Sequence, residues 1–206
     1  MVNDIRKVML AVVMALVTAM SAQLSVKVGP VPYTMQNFGV MLSGFLLGPY
    51  YGFLALIIYI LLIGLALPFA AGGGGLGVLL GPTAGFIYGF AISAFLAGVF
   101  RRLIWRQGSR REMVALWLST LVASLPLYLL GFVVFYNFAM VNTDYFTRAE
   151  NTAKAFNLSF SSPAMVIFAA TVLIFLPQDF LMDHLLAVLV YRYIHRMLRE
   201  RGVEID

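Results

Sequence analysis

Cysteine is absent from the 206 residues, histidine occurs twice, and charged residues make up only 11% of the chain. Without a thiol there is no disulfide, no zinc-thiolate or iron-sulfur centre and no cysteine nucleophile. An ordinary soluble domain is about 25% charged, so the scarcity of charge excludes that class. The two histidines are His184 and His195, the second in a basic stretch, and no serine sits in a nucleophile-like turn. A serine–histidine hydrolase is therefore not expected. The run Gly72 to Gly75 is not followed by Gly-Lys-Ser/Thr, which rules out nucleotide binding in the Walker manner. The chain is expected to have no catalytic residues, no cofactor and no resident metal.

What is present is apolar sequence, 62% of the chain. It falls into segments at 8–26, 34–48, 51–69, 82–100, 113–137 and 178–197, with a further apolar piece at 163–176. Because apolar stretches recur to the C-terminus, the first is read as a span and not as a cleaved leader. A helix needs about 20 residues to cross a hydrocarbon core of about 30 Å. The segment at 34–48 is short, between Pro32 and Gly48-Pro49, so it is expected to be surrounded by protein. Pro68 and the glycine run close the third segment, and Gly81-Pro82 opens the fourth. Backbone of that kind is tolerable at membrane depth only beside protein or a water-filled cavity.

The net charge of +5 lies in short runs between apolar segments, the pattern of cytoplasmic loops and not of a nucleic-acid surface. With six spans, 11 of the 14 basic residues fall on one side, and Lys27, Arg148 and Lys154 fall on the other. The expected fold is therefore all-α: a single polytopic domain over 1–206, six transmembrane helices in the cell membrane, both termini cytoplasmic, and a ligand pocket facing outward. Pro177 is expected to break the helix, leaving 163–176 as a re-entrant or interfacial piece and starting the last span at Gln178. The polar stretch 138–162 is expected to be an external loop that could act as a lid.

Asp179 and Asp183 lie four apart in apolar surroundings, on one face if the segment is α-helical. A carboxylate there is costly unless paired or wetted, so its default reading is a functional site. The alternative for Asp179 is a helix cap after Pro177, stabilised by the positive end of the helix dipole. His184 is expected to be a packed or interfacial residue. In the first segment Ala11, Ala15 and Ala19 recur every four residues, a stripe that suits either close approach of a partner helix or internal packing.

Val-Pro-Tyr-Thr-Met-Gln at 31–36, Leu-Leu-Gly-Pro-Tyr-Tyr-Gly at 46–52, Leu-Pro-Phe-Ala-Ala followed by four glycines at 67–75, and Leu-Gly-Pro-Thr-Ala-Gly-Phe at 80–86 occur in that order. This order resembles the BioY family, biotin-capturing substrate subunits of energy-coupling factor transporters. The similarity runs over about 8–100 and 177–196, with 138–162 looking like an expansion. It implies a vitamin captured near the outer face and a lipid-embedded chain working with a transmembrane coupling subunit and two cytoplasmic ATPases. It also makes Ala11, Ala15 and Ala19 the expected docking stripe. Asp179 matches the aspartate of the family's Gly-Asp-x-x-Lys motif, which would accept hydrogen bonds from the ureido nitrogens of biotin. Tyr33, Thr34, Gln36, Gly74, Phe86, Ile87, Met182 and Asp183 complete the expected binding set. Gln178 stands for the motif's glycine, Met182 for its lysine, and Ile87 where some members carry arginine. With no cation at those positions, a neutral or amine-bearing metabolite is an open alternative to biotin. A ligand-free membrane scaffold is the other.

Overall fold

A computed structural model describes residues 2–201 of the chain. With no water in the hydrocarbon to satisfy backbone groups, apolar segments must close their own hydrogen bonds as helices. Among the described residues, five helical stretches are long and apolar enough to cross a membrane: Asp4–Gln23, Gln36–Gly64, Ala84–Ile104, Arg110–Val141 and Pro163–Glu200.

The second stretch, α2 (Gln36–Gly64), follows α1 (Val2–Gln23). It is one helix by hydrogen bonding alone, because it reverses direction at Gly48, where φ is +74° and ψ −177°. Only glycine adopts that backbone readily. The two limbs then run antiparallel: a Cβ on Gly52 would stand 2.8 Å from the Cα of Gly44, and Gln36 Nε2 donates to Tyr59 Oη at 2.6 Å. The break expected between 48 and 51 is thus a helical hairpin. Its first limb, about 12 residues at 1.5 Å each, is only about 18 Å long. Consistent with that, it is enclosed by protein, with Gln36, Asn37, Gly39 to Phe45 and Gly48 buried.

Thr18 of α1 packs against Gly39 of α2, and Ala11, Ala15 and Ala19 point the same way, 0%, 0% and 4% exposed. In the isolated chain the expected docking stripe is thus the face that packs α1 onto the bundle. The exposed side of α1 carries Met9, Val13, Leu16 and Met20.

After the hairpin come a short α3 (Leu76–Leu79) and α4 (Ala84–Ile104). Next are α5 (Arg110–Ala123) and α6 (Leu125–Val141), which run on as one span with Pro126 in the first turn of α6. Ser109 and Glu112 form a capping box at the start of α5. One end of the bundle gathers the basic residues: Lys7 stacks over Tyr51 at 5.8 Å, and Gly48 lies beside Arg102. Trp105 meets His195 edge-on at 5.7 Å at the same end.

Two expectations are revised at the opposite end. The stretch 138–162 is not a loop: α6 continues to Val141 and α7 (Thr143–Ala155) follows at once, capped by the Asn142 side chain accepting from Asp144 N at 2.9 Å. Its buried face is Ala149, Thr152 and Ala153, so a segment that reads as polar still forms an amphipathic helix that packs.

Nor does Pro177 end a re-entrant piece. The chain stays helical through α8 (Pro163–Phe168), a π-helical Ala169–Leu173, α9 (Leu176–Gln178), a second π-helical Asp179–His184 and α10 (Leu185–Glu200). The i→i+5 register of a π segment absorbs the proline's missing donor. A carbonyl displaced from the α ladder also finds a partner, for Trp117 Nε1 donates to Phe180 O at 2.8 Å.

A two-stranded antiparallel hairpin, β1 (Ser25–Lys27) and β2 (Pro32–Thr34), joins α1 to α2 at the end away from the basic cluster around Arg102. Gly29 sits in its turn with φ +102°, and a Cβ there would come 2.3 Å from Thr152 Oγ1 of α7. The hairpin turn and α7 therefore touch.

Candidate functional site: a cavity with one buried carboxylate

The β1–β2 turn, the glycine-rich connection before α4 and the beginnings of α2 and α4 converge with α6, α7 and the Pro163–Glu200 stretch on one cavity of about 390 Å³. That volume lies within the range of small-molecule sites, about 300–1,000 Å³. Most of its wall is apolar, with Phe86, Ile87, Phe90, Leu127 and Phe175 among the lining residues. Its polar groups are few and placed, as orientation of a small ligand requires.

Asp179 is the focus. It is 4% exposed, lines the cavity, accepts a short hydrogen bond from Tyr128 Oη, and has the Asn37 side chain beside it. Among the described residues no cation forms an ion pair with it; the ion pairs there are Glu150–Lys154 and Arg196–Glu200. Asn37 Oδ1 is buried and has no hydrogen-bond partner within the described chain, although Asn37 lines the cavity. A buried carboxylate and an unpartnered amide oxygen on one wall form an acceptor-rich patch. It suits a neutral head group with N–H donors.

Gln36 is held in place at the start of α2: it donates to Tyr59 Oη, which donates in turn to Phe69 O at 3.0 Å. Thr34 donates to Gln36 Oε1 at 2.9 Å, and Thr34, Gln36, Phe86 and Ile87 all line the cavity with Asp179. Tyr33 does not line it but braces its wall, stacking on Phe175 at 4.3 Å and donating a short bond to Ile174 O. Burial and the nearby charge of Asp179 push the Tyr33 hydroxyl above its ordinary range, which keeps it a donor. Gly74 acts one step back as well. A Cβ there would lie 2.0 Å from Leu67 O, so its smallness lets the glycine-rich connection close on itself.

Met182 and Asp183 lie outside the cavity. Met182 is 56% exposed on the bundle surface. Asp183 is fully buried, accepts from Gln178 Nε2 at 2.9 Å, and faces the backbone N–H groups of Asn37 and Phe38 in the first turn of α2. The cap residue of that helix, Met35, supplies no side-chain acceptor, so the Asp183 carboxylate serves the positive end of α2 from across the bundle. The π-helical turn carries the two aspartates to different neighbours, Asp179 to Tyr128 on α6 and Asp183 to α2. His184 is 1% exposed and packs edge-on to Phe180 at 6.4 Å, without a hydrogen bond on either ring nitrogen. The described residues contain no cluster of three or more His, Cys, Asp or Glu able to hold a metal ion.

Asn37, Tyr128 and Arg148 line the cavity without having been singled out in the sequence as ligand contacts. Asn37 directly follows the Val31–Gln36 motif and could have been included with it. Tyr128 is one aromatic in an apolar run, and Arg148 sits in what reads as a polar loop; neither carries a local signal.

Comparison with known proteins agrees with this architecture. The chain is 40% identical over 129 residues to the "Probable biotin transporter BioY" of Pyrococcus horikoshii, covering 62% of this chain and 73% of that protein. It is 38% identical over 131 residues to the "Biotin transporter BioY" of Thermotoga maritima, covering 63% and 73%. In fold it superposes on a crystal structure of the S-component for biotin from an ECF-type ABC transporter, with a TM-score of 0.69 at 22% identity over 94% of this chain and 93% of that one. The BioY family model itself matches residues 1–200, so the match takes in the hairpin, the cavity wall and the carboxylate alike, and the chain belongs to the BioY family.

Proposed function

We propose that this chain is the substrate-capture subunit of an energy-coupling factor importer and that it takes up biotin. The observation that carries the reading is Asp179: a carboxylate withdrawn from solvent at the wall of a preformed, mainly apolar cavity, with an unpartnered amide oxygen beside it. Such a wall has a use only if donors on a guest complete it. The ureido ring of biotin presents two N–H groups on a compact head, followed by an apolar ring and chain that match Phe86, Ile87 and Phe90.

In this reading the arginine-rich end of the bundle, with both termini, faces the cytoplasm, since lysine and arginine favour that side. The chain then crosses the bilayer six times, the hairpin limbs of α2 counting as two, and the cavity opens outward. A transmembrane coupling subunit and two ATPases supply the energy, because this chain has no phosphate-binding loop of its own. Binding and release, not bond chemistry, are the work of the chain.

Titration calorimetry of the purified protein with biotin tests the proposal. Saturable binding that is weakened in Asp179→Asn supports it. No heat with biotin, alongside binding of an amine-bearing compound, would replace biotin by a cationic ligand seated on the same carboxylate.

A further inference from the structure

Three basic residues lie away from the arginine-rich end of the bundle: Lys27, Arg148 and Lys154. Lys154 is engaged with Glu150 at 2.7 Å. Lys27 and Arg148 have no ion pair among the described residues, and both line the cavity. They come from distant parts of the chain, Lys27 from β1 and Arg148 from α7. Their convergence is built in by Gly29, which lets the β1–β2 turn sit directly on Thr152, while Thr152 Oγ1 donates to Arg148 O one turn earlier at 2.7 Å. Both cations are exposed, whereas Asp179, Tyr128 and Asn37 are buried. The cavity is thus polarised, with acceptors at its closed end and cations at its open rim.

We propose that Arg148, assisted by Lys27, is the carboxylate-binding rim of the cavity, so that the site selects a ligand with a donor-bearing neutral head and an anionic tail. The proposal rests on the biotin reading and extends it by assigning the cation missing from Ile87 and Met182. Neither of those side chains supplies a charge, and Met182 does not line the cavity at all. Guanidinium suits the task because its planar fork pairs with a carboxylate through two parallel hydrogen bonds. A purely cationic ligand would meet repulsion at the rim before reaching Asp179.

The test compares biotin with its neutral carboxamide on the full chain in detergent. Wild type should bind biotin about tenfold more tightly than the amide, the energy of one charge-assisted contact, and the preference should shrink as salt is raised. Arg148→Gln should lose most of the preference, bringing biotin close to the amide, while the amide, with no charge to pair, loses little. Arg148→Lys should keep part of the preference, and Lys27→Gln should lose a smaller part. Retained amide binding reports that the variant is folded. If wild type binds biotin without preferring it to the amide, or if Arg148→Gln keeps the full preference, the rim assignment is wrong and the biotin reading stands. Equal loss of both ligands in Arg148→Gln would make Arg148 a structural residue of α7 and overturn the assignment too. Failure of wild type to bind either compound removes the biotin reading itself.

Discussion

Replacing Asp179 by Asn separates a ligand group from a structural one. The side chain keeps its shape, loses its charge and exchanges one acceptor oxygen for an N–H donor. The carboxylate is 4% exposed, with Tyr128 donating to it and no cation among the described residues paired to it. Removing an unpaired buried charge should not destabilise the fold, because desolvating that charge is itself costly. The thermal midpoint in detergent is expected to stay level or rise. Ligand binding should behave oppositely. A hydrogen bond to a charged acceptor contributes about 1.5–3 kcal/mol, so its loss should raise the biotin Kd by roughly ten- to a hundredfold. Tyr128→Phe removes the donor that orients Asp179 but leaves the charge, and a smaller loss is expected from it. Calorimetry for affinity and a melting curve for stability, measured on the same preparations, give the pair of numbers required. Unchanged affinity in Asp179→Asn, or a parallel collapse of affinity and stability, would refute the assignment of this carboxylate to the ligand.

Other positions make independent predictions. Ala15→Leu places extra methylenes where α1 lies fully buried against the bundle, and overpacking of that kind costs about 1–3 kcal/mol; a lower melting temperature of the isolated chain is expected, with ligand binding and assembly failing together. An Ala15→Leu variant that folds and binds ligand but no longer associates with a coupling subunit would show that the stripe faces a partner after all. Gly48→Ala forces a side chain into φ +74° and within 3.1 Å of Arg102 Nη2; strain of about 1–3 kcal/mol is expected, read as lost thermal stability and lower yield in membranes. Met182→Lys recreates the family's lysine but on a side chain that is 56% exposed outside the cavity. It should bring no gain in biotin affinity, and a clear gain would mean that the π-helical turn is rotated toward the cavity in the ligand-bound state.

Hydropathy and charge placement are properties of short stretches measured against a bilayer of fixed thickness, and for that reason the sequence alone determined a great deal. The apolar segments, the break at Gly48-Pro49, the clustering of arginines at one end and the anomaly of a carboxylate at 179 are all visible before any folding is known. So is the ordered set of motifs that identifies the family. What only the tertiary structure decided is direction. The alanine stripe reads equally well as an inner or an outer face of α1, and the close approach of Gly39 to Thr18 makes it inner. Asp179 and Asp183 share one face at α-helical spacing, yet a π-helical turn sends one to the cavity and the other to the first turn of α2. Pro177 reads as a break because sequence shows the missing donor but not the altered register that accommodates it. Arg148 joins Lys27 although 121 positions separate them, since Gly29 and Thr152 meet. Contacts of that range depend on how whole helices pack, and no local pattern encodes them.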